Sequence, residues 1–214
     1  MPPEAEDSPK LTKGQRTAAR ILDVAEELFA DQGYDGTSLR QIAEGAGIRE
    51  PGLYNHFASK QDLYEAVLYR ALNPMAELLA AHLGSAPGLK TYTDLPGLMT
   101  DRLLEHPRIA KLFQQAMQGD ADSIGNQLMM GWLDRLFTDG MANMEEAEPG
   151  IGIDRTDMAL NIIAMFNLTT GYFLSQRAFD TMAEGDLLSA DNIARQKSLL
   201  RKMMRAMLVG QSTT

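Results

Sequence analysis

Apolar residues recur along this chain at spacings of three and four, and no segment alternates at two for long enough to make a strand, so the pattern predicts an all-helical protein. Thr12 and Gln15 form a capping-box pair, each side chain satisfying a backbone amide that a helix start leaves without a partner. Ala18, Ile21, Leu22, Ala25, Leu28 and Phe29 follow on one stripe, and Gly33 is expected to end this first helix. Thr37 or Ser38 starts a second, short helix with Leu39, Ile42, Ala43 and Ala46 inward, and Gln41 completes a box if Ser38 is the cap. Gly45 and Gly47 break it. Glu50-Pro51 opens a third helix over 51–57, because the residue before proline avoids the helical region while proline suits the first helical position. Leu53 and Phe57 point inward from it, and Pro51, Tyr54 and Asn55 lie on the other side. Ser59 and Asp62 resemble another capping box, and a longer helix runs from there toward Pro74, where it kinks or stops. Stretch 84–88 and Pro96-Gly97 are turn-rich, and further helices are expected over 97–105, 107–118, 125–144, 154–179 and 190–209.

Composition narrows the chemistry. With 214 residues the chain makes one domain or two small ones, and with no cysteine it has no thiol catalysis, iron-sulfur cluster or cysteine zinc site. The first nine residues carry three acids and no base, which reads as a disordered acidic tail rather than a signal peptide. No stretch reaches the roughly 18 apolar residues of a membrane span, so a cytoplasmic protein is expected. Three histidines, no phosphate-binding glycine loop, no nucleophile elbow and no paired metal spacing predict neither an enzyme, a cofactor nor a metal. The net charge of -9 argues against a nucleic-acid partner on average, but seven bases balance seven acids over residues 10–60 and can gather on one face.

Two short helices meeting at a glycine-containing turn are the helix-turn-helix arrangement, with residues 51–57 as the helix that enters the major groove. The run AARILDVAEELFADQGYDGTSLRQIAEGAGIREPGLYNHFASKQDLY, within residues 13–63, closely resembles the amino-terminal domain of the TetR/AcrR family of transcriptional regulators. Ile21, Ala25, Phe29, Gly33, Thr37, Ile42, Ala43, Ala46, Gly47, Leu53, Tyr54, His56, Phe57, Ser59, Lys60 and Leu63 match at the family's spacing. The resemblance implies a dimeric, all-helical repressor with a helix-turn-helix domain at 10–60, continuing into a linking helix to about residue 73. A ligand-sensing and dimerisation domain would then occupy 74–214.

The expected DNA-binding set is Thr37, Ser38, Arg40, Arg49, Glu50, Pro51, Gly52, Tyr54, Asn55, His56, Ser59 and Lys60. Arg40 and Lys60 are placed to meet phosphates, with Ser59 adding hydrogen bonds at a helix start. Tyr54 and His56 occupy positions that match the family's contact residues. Arg49, Glu50, Gly52 and Asn55 are able to reach base edges, Arg49 a guanine and Asn55 an adenine. The family often has a small hydroxyl residue where Arg49 stands, so Arg49 either reads a base or clamps a phosphate. Lys13, Arg16 and Arg20 supplement the phosphate contacts or form a solvated face.

Helix 154–179 is apolar on more than one face, and 190–209 carries Ile193, Leu200 and Met207 at heptad spacing. Together they are expected to form a two-fold four-helix dimer interface through Met158, Ile162, Met165, Tyr172, Ile193, Leu200, Met203, Met204 and Met207, with an intramolecular core as the alternative. Fourteen methionines suit an apolar ligand of imprecise shape. Met99, Phe113, Met117, Met129, Trp132 and Phe166 are the expected pocket, with Asn167 and Thr170 as polar orienters and Tyr92 and Tyr172 as further ones. His106, before Pro107, caps a helix or meets a ligand carboxylate. The partners that follow are an operator duplex, a small apolar or amphipathic effector and a second copy of the chain, with no membrane. The alternative is an all-helical carrier or sensor of apolar ligands that does not touch DNA.

Overall fold

Ten α-helices and no strand make up the regular structure among residues 12–85, 89–147 and 154–210, the part of the chain that the computed structural model describes. The expected acidic tail at 1–9, most of the expected 84–88 turn and the end of the 145–152 connection lie outside the described residues. The helices divide into two compact units, residues up to Val67 and residues from Leu68 onward, with one helix contributing to both.

The first unit holds α1 (Lys13–Gly36), α2 (Leu39–Gly45), α3 (Glu50–Leu53) and the start of α4 (Lys60–Ser85). Two of the three expected capping boxes form in full, Thr12 with Gln15 on α1 and Ser38 with Gln41 on α2, and at α4 the Asp62 amide donates to the Ser59 hydroxyl. Gly33 breaks α1 with φ +75, but one more turn follows to Gly36 before the helix ends. The predicted stripe is the core. Ile21, Ala25 and Phe29 of α1, Ile42 and Ala43 of α2, Leu53 of α3 and Leu63 of α4 are all buried.

The second unit holds the rest of α4, then α5 (Leu89–Glu105), α6 (Pro107–Gln118), α7 (Ile124–Ala147), α8 (Arg155–Tyr172), α9 (Gln176–Met182) and α10 (Ala190–Gly210). Three sequence expectations need correction. α4 does not stop at Pro74, one of the two outcomes expected there, because Met75, Leu79 and Leu83 extend the buried stripe past it and offset the one backbone hydrogen bond that proline removes. α5 likewise runs through Pro96, where the Thr100 hydroxyl donates to the Pro96 carbonyl at 2.8 Å. The helix expected over 154–179 bends by 73° between α8 and α9. Hydroxyls crowd that corner: Thr169, Thr170 and Ser175 donate to the carbonyls of Met165, Phe166 and Gly171, a back-bonding that bends helices, beside the flexible Gly171. Tyr172 then ties the corner down, its hydroxyl donating to the Leu187 carbonyl at 2.6 Å. His106 does stand at the start of α6, but its side chain makes no capping hydrogen bond.

α10 packs on α5 and α8. Its bases meet acids of α5, Lys197 on Asp101 at 2.6 Å and Arg201 on Asp94 at 3.0 Å. No single helix among the described residues is long and apolar enough to cross a membrane.

Candidate nucleic-acid interface and apolar cavity

The turn between α2 and α3 is a Schellman ending. Gly47 takes φ +66, the Ile48 amide donates to the Ala43 carbonyl at 3.0 Å and the Gly47 amide to Glu44 at 3.1 Å. α2 seats closely on α1 at Gly45, where a Cβ would stand 2.6 Å from Val24 Cγ1. Gln41 Nε2 adds a hydrogen bond to Gln32 Oε1 at 3.2 Å. Thr37 locks the same junction from inside. It is 2% exposed, its hydroxyl lying 2.8 Å from the Gly33 carbonyl oxygen and 3.1 Å from that of Leu28. Thr37 was expected among the DNA contacts; its hydroxyl is committed inward, so it positions α2 rather than presenting a group to a phosphate.

α3 is shorter than the sequence suggests. Regular helix covers only Glu50–Leu53, and the chain continues as tight turns in which the Asn55 and His56 amides donate to the Gly52 and Leu53 carbonyls. The helix has no side-chain cap at Arg49, and Gly52 is a poor helix former, so nothing local sustains a second turn. The division into faces nevertheless holds. Leu53 is buried and Phe57 half-buried, while Arg49, Glu50, Pro51, Asn55 and Tyr54, the last 53% exposed, face solvent, and Gly52 and His56 are partly exposed. A one-turn helix thus offers a small apolar anchor behind and a run of polar and aromatic groups in front.

The cations expected at phosphates are accessible but already engaged. Arg40 Nε donates to Glu44 Oε1 at 3.0 Å on the exposed face of α2, a pairing that raises the guanidinium above its ordinary value. Lys60 Nζ sits 4.3 Å over the Tyr34 ring. Tyr34 packs at 5.0 Å on Tyr64, itself 4.9 Å from Phe29, so this aromatic cluster fixes the start of α4 against the end of α1. Ser59 is half-buried, its hydroxyl accepting from the Asp62 amide at 3.0 Å, and Ser38 is exposed at its cap. Charge along α1 is segregated: Lys13, Arg16 and Arg20 lie in its first turns, and Asp23, Glu26, Glu27, Asp31 and Asp35 in the rest. The amino end of α1 is therefore its basic end.

The second unit encloses an apolar cavity with about 60 Å³ of free space, walled from α4, α5, α7, α8 and α10. Of the residues expected there, Met99 and Phe166 line it. Phe113, Met129 and Trp132 do not; they are buried in the core, where Phe113, Trp132 and Phe166 pack with ring centroids 6.2 Å apart. Met117 is half-buried outside that wall. Asn167 is exposed, donating to the Ile163 carbonyl, and Thr170 is buried with its hydroxyl donated to Phe166. Neither lines the cavity. The polar residues that do line it are Tyr92 and Asn161. Burial pushes the Tyr92 hydroxyl up to about 12. The cue missed in the sequence was Asn161, one turn before Met165 on the same face of α8.

The expected dimer set also needs correction. Met158, Met165, Ile193, Leu200 and Met204 are buried within the chain, and Met203 and Met207 pack on the cluster of Met165, Leu200 and Met204. Ile162 and Tyr172 are half-buried. The heptad of α10 faces α5 and α8 rather than solvent. The exposed apolar residues are Leu160 (58%), Ile163 (47%) and Leu168 (39%) on α8, and Leu199 (51%) on α10. Gln196 Nε2 bonds to the Leu168 carbonyl at 3.2 Å and links the two helices.

Residues 21–67 match the model of the TetR family of bacterial regulatory proteins. The chain is 39% identical over 75 residues to the HTH-type transcriptional activator FasR of Mycolicibacterium smegmatis, 35% of this chain and 32% of the relative. It is 37% identical over 93 residues to the HTH-type transcriptional repressor KstR2 of Rhodococcus jostii, 42% of this chain and 44% of the relative. These matches span less than half the length of either relative. In fold, the chain is similar to the transcriptional regulator FadR from Bacillus subtilis, solved in complex with stearoyl-CoA, with a TM-score of 0.63: 88% of this chain and 98% of that one align, at 17% identity. Residues 21–67 thus resemble the helix-turn-helix of TetR-family regulators, and the chain shares the fold of the solved regulator, with that motif at its amino end and a larger helical unit after it.

Proposed function

We propose that the chain is a ligand-responsive repressor that binds a palindromic operator as a homodimer and is released by a small apolar or amphipathic effector. The observation that carries this reading is the exposed front of Arg49, Glu50, Pro51, Tyr54 and Asn55, presented by a one-turn helix and the turn after it, behind a capped α2 within the stretch that matches the TetR family model. In it Arg49 and Asn55 are the base-reading groups, and Arg40, Tyr54, His56, Ser59 and Lys60 hold phosphates, with the Ser38 end of α2 beside them. Gly52 leaves room for the backbone to approach the groove, since a Cβ there would meet nothing within 4 Å.

The partner copy covers the exposed apolar face of α8 and α10, a seam to one side of the heptad that the sequence pattern marks. Leu160, Ile163, Leu168 and Leu199 supply its apolar surface. Two-fold pairing sets the recognition elements about 34 to 36 Å apart, or a multiple of it, to suit two half-sites. The effector enters the cavity of the second unit. Its methionines are adaptable, and one protein of this fold is described in complex with stearoyl-CoA, so an acyl group is a compatible occupant. Release follows if the occupied dimer prefers a spacing that no longer suits adjacent major grooves, an energetic preference rather than a direct competition.

Selection of bound duplexes from a random library by the purified full chain tests the proposal. An inverted repeat bound by two chains, and lost on adding an acyl ester, is the expected result. Recovery of unrelated sequences, or binding as a monomer to single half-sites, contradicts it.

A further inference from the structure

The cavity wall is almost wholly apolar. Its two polar side chains are Tyr92, whose hydroxyl donates weakly to the Gly140 carbonyl at 3.3 Å, and Asn161. Asn161 is 7% exposed, and its Nδ2 has no hydrogen-bond partner. Among the described residues, no lysine, arginine, histidine, aspartate or glutamate lines the space. A buried amide donor normally finds an acceptor, because its lost hydration is otherwise uncompensated. Here the unpaired donor belongs to a residue of the cavity wall.

We infer that Asn161 Nδ2 is the polar anchor of the effector site, and that the site takes an apolar molecule bearing one uncharged hydrogen-bond acceptor, namely an ester, thioester or ketone carbonyl. This rests on the proposed role of the cavity as the effector site. A hydrocarbon fits the wall but leaves the amide unpaired. A carboxylate pairs with the amide but brings a charge into a wall that holds no cation, and one N–H bond does not offset that desolvation. A neutral carbonyl meets both conditions. The present free space of about 60 Å³ holds only a few atoms, so a longer chain enters by displacing Met99, Met158, Met165 and Met204, whose unbranched side chains change rotamer readily.

The chain carries its own reporter. Trp132 is the single tryptophan, and its ring lies 6.2 Å from that of Phe166 in the cavity wall. Trp132 fluorescence titrations of the full chain with 2-nonanone, methyl octanoate, octanoate and nonane at pH 7.5 give the affinities. The two carbonyl compounds are expected to bind about tenfold more tightly than nonane or octanoate, and Asn161→Leu to erase that preference. A second measurement does not depend on the variant's stability: in the ¹⁵N-labelled wild-type chain, the Asn161 side-chain amide resonance shifts with 2-nonanone and stays in place with nonane. A carbonyl preference that survives Asn161→Leu, tightest binding by octanoate, or an unmoved resonance overturns Asn161 as the anchor while leaving the cavity as the effector site. Failure of all four probes to bind overturns the cavity reading itself.

Discussion

Gly45→Ala is the sharpest test of how the helix-turn-helix is held. The added Cβ would stand 2.6 Å from Val24 Cγ1, against the ordinary contact of about 3.5 to 4.0 Å, so one helix must shift by about 1 Å. Val24 cannot swing aside cheaply, because a β-branched side chain in a helix has one strongly preferred rotamer. Two effects oppose each other. Alanine gains up to about 1 kcal/mol over glycine in a helix, and less at the final residue of α2, whereas overpacking costs about 1 to 3 kcal/mol. The steric cost wins, and a net loss of about 1 to 2 kcal/mol is expected. Denaturant unfolding followed by circular dichroism reads the stability, and fluorescence polarisation with operator DNA reads the consequence, since α3 packs on α2 and moves with it. Val24→Ala in the same chain removes the clashing methyls, so the double variant should recover most of both losses, with a coupling of about 1 to 2 kcal/mol. If Gly45→Ala proves as stable as the wild type, or Val24→Ala adds its own loss without rescue, the close approach does not hold the motif and the reasoning fails.

Arg40→Ala should reduce the slope of log affinity against log salt by about one, the mark of a lost phosphate contact, with little change in sequence preference. Glu44→Ala, which removes the competing carboxylate, should strengthen DNA binding at low salt; an unchanged slope and affinity in both variants would remove Arg40 from the interface. Leu160→Glu with Ile163→Lys should yield a folded monomer by analytical ultracentrifugation, because both side chains are already in solvent within the protomer, and a persistent dimer would place the seam elsewhere. Asp154 caps α8 by accepting from the Asp157 and Thr156 amides, and those bonds hold its carboxyl below the usual range. A depressed carboxylate stabilises the fold above its unfolded value and loses that contribution as pH falls through the folded one, below about pH 5. Asp154→Asn keeps the acceptor without the charge, so melting followed by circular dichroism should fall less steeply with acid than in the wild type; parallel acid limbs would show that the cap does not titrate.

The legible parts of this protein are those where local chemistry decides. Thr12 with Gln15 and Ser38 with Gln41 announce helix starts, Gly47 a left-handed stop, and Ile21, Ala25 and Phe29 a buried stripe, all within a few residues of one another. The exposed front of Tyr54 and Asn55 against buried Leu53 was legible for the same reason. What depended on distant partners was not. Pro74 and Pro96 look like breaks until the buried residues beyond them are seen to continue each helix. The heptad of α10 reads equally as a dimer seam or as an inner face, and α5 and α8 make it the inner face. Thr37 looks like a free hydroxyl until the carbonyls of Leu28 and Gly33 close around it. The polar residue of α8 in the cavity wall is Asn161, not the expected Asn167, because α8 is apolar on more than one side and its spacing does not say which face turns inward.

Binding of the selected operator by the wild-type chain and by Asn55→Ala, measured by polarisation with every base of one half-site varied in turn, tests the central claim most directly. The account predicts that Asn55→Ala loses about 1 to 3 kcal/mol of discrimination at one base position and leaves the others as they were. A variant that discriminates at every position as the wild type does would mean that the exposed turn after α3 does not read DNA.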